Sequence, residues 1–194
     1  MTALPGTMTR TRAALSAGLF LMSVAVAGRS ADSPATWATP VESRHLRNAY
    51  QLDGKLFRSA QPSRAGFQEA KGMGITDVLN LREHHSDDGK AGGLDLILHH
   101  AASEADEIGD AEIVSALRVI NQAKGPVLVH CWHGSDRTGA VCAMYRIVFD
   151  HWSKEDAINE MVNGGFGFHA MYGNIVQYIR SADIDRIKEK VFAQ

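Results

Sequence analysis

The sequence predicts a single α/β domain whose central sheet is mainly parallel and is flanked by helices on both faces. Short apolar runs alternate along the chain with segments whose apolar residues recur at helical spacing, and this alternation is typical of a parallel sheet. The 194 residues, of which 45% are hydrophobic, suffice for one domain with one core. Because the net charge is −2, there is no excess of basic residues, and we expect no nucleic-acid partner.

The first 27 residues have the features of a secretory signal peptide. Residues 1–12 include two arginines and no acid, and an uncharged, mostly apolar run of fifteen residues follows from Ala13 to Ala27. This run is shorter than the ~20 residues that a membrane span needs, and it ends in Ala-Val-Ala, a small-residue cleavage site. We therefore expect cleavage after Ala27, a periplasmic or secreted protein, and no stable membrane anchor once the signal is removed. An uncleaved N-terminal anchor is the alternative.

The remaining chain is predicted as a linker followed by one domain. Residues 28–44 contain serines, threonines and prolines without a clear apolar period, and this composition predicts a linker. The domain then extends over residues 45–194, and we expect it to be a monomer. The two cysteines, eleven residues apart, do not make a disulfide framework. The adjacent histidine pairs at 84–85 and 99–100 point apart on regular structure, so no metal site is predicted.

Capping and turn residues give the order of the elements. Ser63, Asp110 and Ser153 each precede a helical pattern, and all three are predicted as N-caps because their side-chain oxygens can accept first-turn hydrogen bonds. The predicted elements of the first half are, in order, a hairpin over Tyr50–Arg58 around an Asp53-Gly54 turn, a helix over Ser63–Met73, a turn followed by a strand over Gly74–Leu81, an exposed loop over Glu83–Gly93, and a strand over Leu94–His99. Those of the second half are an acidic irregular segment over Ala101–Gly109, a helix from Asp110, a buried strand from Val127, a buried helix over Ala140–Phe149, a helix over Lys154–Val162, and a last helix over Asn174–Lys190 that is interrupted near Ser181.

The stretch from Val127 to Gly139 contains the residues with the most specific chemistry. A predicted buried strand is followed by Cys131, five residues and Arg137, where a helical pattern begins. Gly134 permits a loop whose backbone N–H groups point at an anion, and the helix N-terminus adds its partial positive charge, which favours the thiolate form of the cysteine. Arg137 has the planar fork that binds two phosphate oxygens. The stretch therefore predicts phosphoryl transfer.

These residues also indicate a family. His130-Cys131, five residues and then Arg137-Thr138 resembles the signature of the cysteine-dependent protein tyrosine phosphatases, and the short chain is similar to their small dual-specificity branch. With Leu56–Pro62 and Asn80–Arg82, the pattern resembles the atypical dual-specificity phosphatases of bacteria, fungi and plants, some of which are secreted to the periplasm. The resemblance implies a dual-specificity phosphatase-like catalytic domain over residues 45–194, with no cofactor and no metal.

The resemblance implies roles for the residues of this signature. Cys131 is expected to attack phosphorus and form a phosphocysteine, and Arg137 to bind the phosphoryl oxygens. Thr138 is expected to donate a hydrogen bond to the thiolate, and His130 to support the loop. The expected phosphate-binding loop consists of Trp132, His133, Gly134, Ser135, Asp136 and Arg137.

The general acid is expected in the acidic segment over Ala101–Gly109. The resemblance places an Asp on the loop before the helix that precedes the central strand, and Asp106 is the candidate because Asp110 is assigned as an N-cap. Glu104 and Glu107 are the alternatives, and the segment could instead be a solvated surface.

The resemblance implies a phosphorylated protein as substrate, carrying phosphotyrosine and also phosphoserine or phosphothreonine, or a small phosphoester. An inositol polyphosphate or pyrophosphate is the alternative, but the carboxylate of Asp136 in the loop disfavours polyanions. A phosphate-binding module without turnover is the alternative outside enzymes. The presence of Cys131, Arg137 and Thr138 together argues against it.

Overall fold

The computed structural model describes residues 1–2 and 36–193. Its strands are β1 (Thr39–Pro40), β2 (Tyr50–Gln51), β3 (Leu56–Ser59), β4 (Asp77–Asn80), β5 (Ile97–His100) and β6 (Val127–His130). They form one sheet in the order β1-β2-β3-β6-β4-β5. The last four strands in this order are parallel, whereas β1 and β2 are antiparallel to their neighbours. The predicted hairpin and the mainly parallel sheet are confirmed.

Helices cover both faces of this sheet. The helices are α1 (Arg64–Gly72), α2 (Asp88–Ala91), α3 (Asp110–Gln122), α4 (Asp136–Val148), α5 (Lys154–Asn163), α6 (Gly173–Ser181) and α7 (Ile184–Phe192), and a short 3₁₀ turn covers Ala170–Tyr172. α1 and α2 contribute to two small apolar clusters, whereas α3 to α7 build the large core. The predicted fold class is therefore confirmed.

The central strand β6 shows why both faces are covered. Val127 and Val129 belong to the large core, whereas Leu128 packs with Ala70 of α1. Successive strand side chains point to opposite faces, so a strand that is buried on both faces needs a continuous apolar run. All four residues of β6 are buried, as that pattern requires.

The register of the parallel strands places their carboxyl ends at one edge. His130 at the end of β6 is level with Ser59 of β3 and with Asn80 of β4. Ligands of open α/β sheets bind outside the carboxyl ends of the strands. The loops that follow these strands therefore meet at the edge where a site is expected.

Two of the predicted helix caps are present. The Ser63 hydroxyl accepts a hydrogen bond from the backbone N–H of Gly66 at 3.2 Å, and the Ser153 hydroxyl accepts one from Asp156 at 3.1 Å. Each bond satisfies a first-turn donor that has no partner within its helix.

The third predicted cap is wrong. Helix α3 begins at Asp110 itself, and Gly109 precedes it as the N-cap. The Asp110 carboxylate instead accepts hydrogen bonds from the Tyr178 hydroxyl at 3.1 Å and from the Arg186 guanidinium at 2.6 Å. Tertiary contacts with α6 and α7 therefore take the place of the local cap.

The predicted exposed loop over Glu83–Gly93 is partly wrong. It contains the short helix α2, and the Asp87 side chain before that helix is buried. The sequence alone shows only polar residues and glycines here, because the partners that bury this carboxylate lie elsewhere in the chain.

The structure places the last part of the predicted linker on the domain. Residues 39–40 form β1, the backbone N–H of Ala38 donates to the Glu160 carboxylate at 2.6 Å, and the Arg146 guanidinium donates to the carbonyl of Thr36 at 3.2 Å. Arg146 and Glu160 are buried and paired with each other at 3.0 Å. These contacts attach residues 36–40 of the predicted linker to the domain.

The predicted signal peptide lies almost wholly outside the described residues, because residues 3–35 are not among them. In the part of the chain that the structure describes, no helix is both long enough and apolar enough to cross a membrane.

Candidate active site

A cleft of about 440 Å³ lies at the carboxyl edge of the sheet. Cys131, which directly follows β6, contributes to its lining and is only 3% exposed. The remaining lining residues are Arg82, Glu83, His84, His85, Ala105, Trp132, His133, Asp136, Arg137, His169, Met171 and Tyr172.

The loop from Cys131 to Arg137, called here the signature loop, depends on one glycine. Gly134 has a φ of +74°, in the left-handed region that favours glycine. A Cβ atom at this position would lie 2.5 Å from the backbone C and O atoms of Ser59. The end of β3 thus packs directly against the loop, and both the φ angle and the contact exclude a side chain.

Arg58 braces the same loop from inside the protein. Its Nη2 atom donates to the carbonyl of Gly134 at 2.6 Å, and its guanidinium lies 3.8 Å from the centre of the Phe166 ring. The side chain is 2% exposed, so it does not reach the cleft. Arg58 therefore orients backbone carbonyls rather than substrate or a carboxylate.

The glycine-rich loop over residues 164–169 packs against the signature loop. The carbonyl of Phe166 accepts hydrogen bonds from the Ser135 hydroxyl at 2.8 Å and from the Asn48 amide at 2.9 Å. The Asn48 amide also donates to the carbonyl of His133 at 2.9 Å. These bonds join the two loops, so residues at the end of the glycine-rich loop can hold fixed positions in the cleft.

His130 is linked to a buried carboxylate behind the nucleophile. Its Nε2 atom lies 2.7 Å from Asp87 Oδ2, and Asp87 Oδ1 accepts a hydrogen bond from Gln61 at 2.8 Å. Burial acts to raise the pKa of Asp87, but the hydrogen bond and charge of His130 and the Gln61 amide outweigh burial and lower that pKa. His130 is fully buried, and its expected role of supporting the loop stays a prediction.

The same chain of contacts reaches the rim of the cleft. Gln61 accepts a hydrogen bond from Arg82 at 2.8 Å, and the Arg82 guanidinium lies 4.3 Å from the centre of the Trp132 ring. Burial, followed by the charge of Arg137, lowers the pKa of Arg82. The two guanidinium groups therefore lie close enough to repel each other, and an anion between them would relieve that repulsion.

The first turn of α4 keeps its N–H groups free of side-chain caps. Ser135 is the N-cap, but its hydroxyl is used by the glycine-rich loop and makes no capping hydrogen bond. Uncapped N–H groups and the helix dipole make this end of α4 suited to an anion. Arg137 stands in this turn and donates one hydrogen bond, at 3.2 Å, to the carbonyl of Ser103.

Thr138 is fully buried in the same turn, and its hydroxyl has no hydrogen-bond partner among the described residues. Buried polar atoms usually have a partner, and one without a partner suggests a functional role. The expected hydrogen bond from Thr138 to the Cys131 thiolate stays a prediction.

Asp136 does not present a free carboxylate to the cleft. It is 6% exposed, and it accepts hydrogen bonds from the backbone N–H of His169 at 2.9 Å and from the His169 ring at 2.8 Å. His169 thereby occupies both oxygens of the carboxylate that the sequence suggests is an unpaired charge of the loop.

The structure does not bring the Asp106 side chain into the cleft. Asp106 is exposed on the acidic segment, and its neighbour Ala105 lines the cleft instead. A hydrogen bond with Glu83 raises the pKa of Glu104, and the negative charge of Glu83 adds to this effect. Asp106 as the general acid therefore stays a prediction, with Glu104 and Glu107 as its alternatives.

Asn48, Asp87 and His169 also belong to the site, although no motif in the sequence around them indicates it. All three are distant in sequence from the signature loop, yet each makes a hydrogen bond to it or to the residue before it. In the described part of the chain, no three His, Cys, Asp or Glu side chains are arranged to hold a metal ion.

Comparison with known proteins identifies the family. The model of the tyrosine phosphatase family matches residues 47–191, which is most of the chain. This chain belongs to the tyrosine phosphatase family. The phosphatase is 36% identical over 160 residues to the dual specificity protein phosphatase TpbA of Pseudomonas aeruginosa strain PAO1, and the match covers 80% of this chain and 71% of TpbA. The predicted dual-specificity, cysteine-dependent enzyme class is confirmed.

Solved structures agree with this assignment. The crystal structure of P. aeruginosa TpbA has a TM-score of 0.73 and 34% identity, with 83% of this chain and 99% of TpbA covered. A Cys-to-Ser variant of TpbA in complex with phosphotyrosine has a TM-score of 0.74 and 33% identity, with 84% and 99% covered. The core catalytic domain of the PP-IP phosphatase SIW14 from S. cerevisiae shares the fold, with a TM-score of 0.64 and 23% identity over 75% of this chain and 91% of that domain.

Proposed function

We propose that this phosphatase hydrolyses phosphotyrosine in proteins, and also phosphoserine or phosphothreonine, through a phosphocysteine at Cys131. One observation carries the proposal. The Cys131 thiol lines the cleft between the end of β6 and the uncapped N-terminus of α4, with Arg137 in the first turn of that helix. Backbone N–H groups, helix dipole and guanidinium thus stabilise both a thiolate and a bound phosphoryl group.

The proposed reaction has two displacements. The Cys131 thiolate attacks phosphorus, a P–S bond forms, and the ester oxygen leaves with its electron pair while an acid protonates it. Water then attacks the phosphocysteine, the P–S bond breaks, and inorganic phosphate leaves. Arg137 and the loop N–H groups hold the equatorial oxygens as charge shifts in both transition states.

Two features support an aryl phosphate as substrate. The Trp132 ring, half exposed at the rim, offers an apolar surface to a phenyl ring, and TpbA, the relative described above, has been solved with phosphotyrosine. Against a polyanion, the acidic residue Glu83 lines the same cleft. We therefore rank inositol phosphates second.

Turnover of matched substrates tests this proposal. We expect a phosphotyrosyl peptide to give a higher kcat/KM than the matched phosphoseryl peptide or inositol hexakisphosphate, with a chelator present throughout. A higher kcat/KM for the inositol phosphate would replace the proposed substrate, and binding of phosphate without any turnover would favour the phosphate-binding module.

Replacing Asp106 by asparagine tests the general acid. We expect kcat to fall about 10²–10⁴-fold for an alkyl phosphate, which needs protonation of its leaving oxygen, and much less for p-nitrophenyl phosphate. The matched variants Glu104→Gln and Glu107→Gln should retain kcat on both substrates. If one of them shows the leaving-group dependence and Asp106→Asn does not, the acid is that glutamate.

We further propose that the protein is exported, with cleavage after Ala27, and acts as a monomer in the periplasm or outside the cell. The arginines, the short apolar run and the small-residue site of the first 27 residues support export. N-terminal sequencing of protein from a periplasmic fraction should begin at Gly28. A full-length chain in the cytoplasm would contradict the proposal, and gel filtration of the same material tests the oligomeric state.

A further inference from the structure

A buried carboxylate in the signature loop orients one histidine of the cleft. Asp136 Oδ2 lies 2.8 Å from Nδ1 of His169, and Asp136 Oδ1 accepts the backbone N–H of the same residue. A carboxylate can only accept, so Nδ1 carries the hydrogen and Nε2 of the neutral ring is left as an acceptor. Within residues 36–193, Nε2 has no hydrogen-bond partner, and the ring lines the cleft.

The backbone on both sides of this pair is held in place. Asp136 belongs to the first turn of α4, and His169 ends the glycine-rich loop whose Phe166 carbonyl is bound by Ser135. The His169 ring also packs against His133, with ring centres 5.4 Å apart. A histidine fixed in this way can present Nε2 at a constant position in the cleft that Cys131 and Arg137 also line.

Other histidines near the nucleophile lack this arrangement. The His130 ring is fully buried, and its Nε2 is bound to Asp87. His84 pairs with Glu83, but its side chain is 79% exposed. Among the histidines that line the cleft, His169 is thus the one that a buried carboxylate orients.

We propose that His169 is the catalytic proton acceptor in the second displacement, a role that rests on the proposed function. As water attacks phosphorus, a P–O bond forms and the water proton passes to Nε2 of His169. The P–S bond breaks, its electron pair returns to Cys131 as thiolate, and inorganic phosphate leaves. Asp136 is a positioning residue that holds the ring and stabilises the imidazolium.

In this assignment, two different groups that border the cleft carry the two proton transfers. In the proposed first displacement, an acid from the acidic segment near Ala105 protonates the leaving oxygen. The second displacement can use the carboxylate that this acid leaves or the His169–Asp136 pair, and the pair is the base that hydrogen bonds already orient. The other titratable or charged groups that line the cleft around the pair are Arg82, Glu83, His84, His85, Cys131, His133, Arg137 and Tyr172.

Pre-steady-state kinetics of His169→Asn with p-nitrophenyl phosphate test the role. We expect kcat to fall about 10²-fold, the lower end for loss of an acid–base group, with kcat/KM within about threefold of the wild type. The two constants are expected to respond differently because kcat/KM reports only the steps up to formation of the phosphocysteine. One equivalent of p-nitrophenolate should appear in a burst, and intact mass after an acid quench should show the phosphorylated chain.

Two further variants complete the test. Asp136→Asn should show the same split with a smaller fall in kcat, about tenfold, because the ring remains but is less well oriented. His151→Asn is the matched control: His151 is exposed at a left-handed φ of 60°, which asparagine accommodates, and both constants should be unchanged.

Unchanged kcat in His169→Asn would overturn the proposal, and so would equal losses in kcat and kcat/KM without a phosphorylated chain. The same equal losses in Asp136→Asn would overturn it if His169→Asn does not fold. Failure of the proposed function would be distinguishable from these outcomes. In that case the wild type would give no turnover, or the Cys131→Ser variant would retain turnover.

Discussion

Replacing Cys131 by serine should lower the turnover of a phosphotyrosyl peptide by about 10⁵-fold or more, the scale on which removal of a nucleophile acts. Binding of phosphate and vanadate should persist, because the N–H groups of the signature loop and Arg137 remain. Turnover and isothermal titration of the same preparation measure the two effects. Loss of both together would indicate a collapsed loop rather than a missing nucleophile.

The second cysteine provides the control. Cys142 is 2% exposed within α4, and burial raises the pKa of its thiol to about 11, so it is protonated at neutral pH. Cys142→Ala should therefore retain turnover. Residual activity of Cys131→Ser above about one per cent would show that another group serves as nucleophile, since covalent catalysis supplies several kcal/mol.

Replacing Arg137 by lysine should lower kcat/KM by about 10³-fold or more, the lower end of what a transition-state arginine contributes to phosphoryl transfer. An ammonium group is a point charge and cannot bind two phosphoryl oxygens in one plane, so conserving the charge does not conserve the function. Steady-state kinetics with p-nitrophenyl phosphate provide the measurement, and the aryl leaving group removes the need for an acid.

Arg118→Lys is the matched control, because Arg118 is an exposed residue of α3 that donates to the carbonyl of Lys190. It should leave kcat/KM unchanged. The Arg137→Lys chain also loses the hydrogen bond to Ser103, so its thermal unfolding should be recorded. A kcat/KM close to that of the wild type would refute the bidentate role.

The sequence predicted what depends on local pattern. The apolar run of β6 and the hydroxyl caps at Ser63 and Ser153 each depend on neighbours within a few residues, and the structure has all three. The parallel sheet followed from the alternation of elements.

The pairings that the sequence did not predict join residues that lie far apart in the chain. Asp87 is in a polar, glycine-containing stretch that predicts exposure, yet His130 and Gln61 bury its carboxylate. Asp136 appeared as an unpaired charge because its partner, His169, is 33 residues away. Asp110 has the sequence context of a cap, but its carboxylate binds Tyr178 of α6 and Arg186 of α7 instead. No local pattern encodes such pairings, because each forms only when distant elements pack.

The attachment of residues 36–40 to the domain would limit the distance that a membrane-anchored form of the enzyme could span. If the first 27 residues serve as an uncleaved anchor, only residues 28–35 separate that anchor from Thr36, whose carbonyl is fixed by Arg146. Eight extended residues span at most roughly 28 Å, which is about the diameter of a small domain. The tethered enzyme would then reach only phosphorylated groups close to the bilayer, whereas the cleaved enzyme would diffuse freely to its substrates.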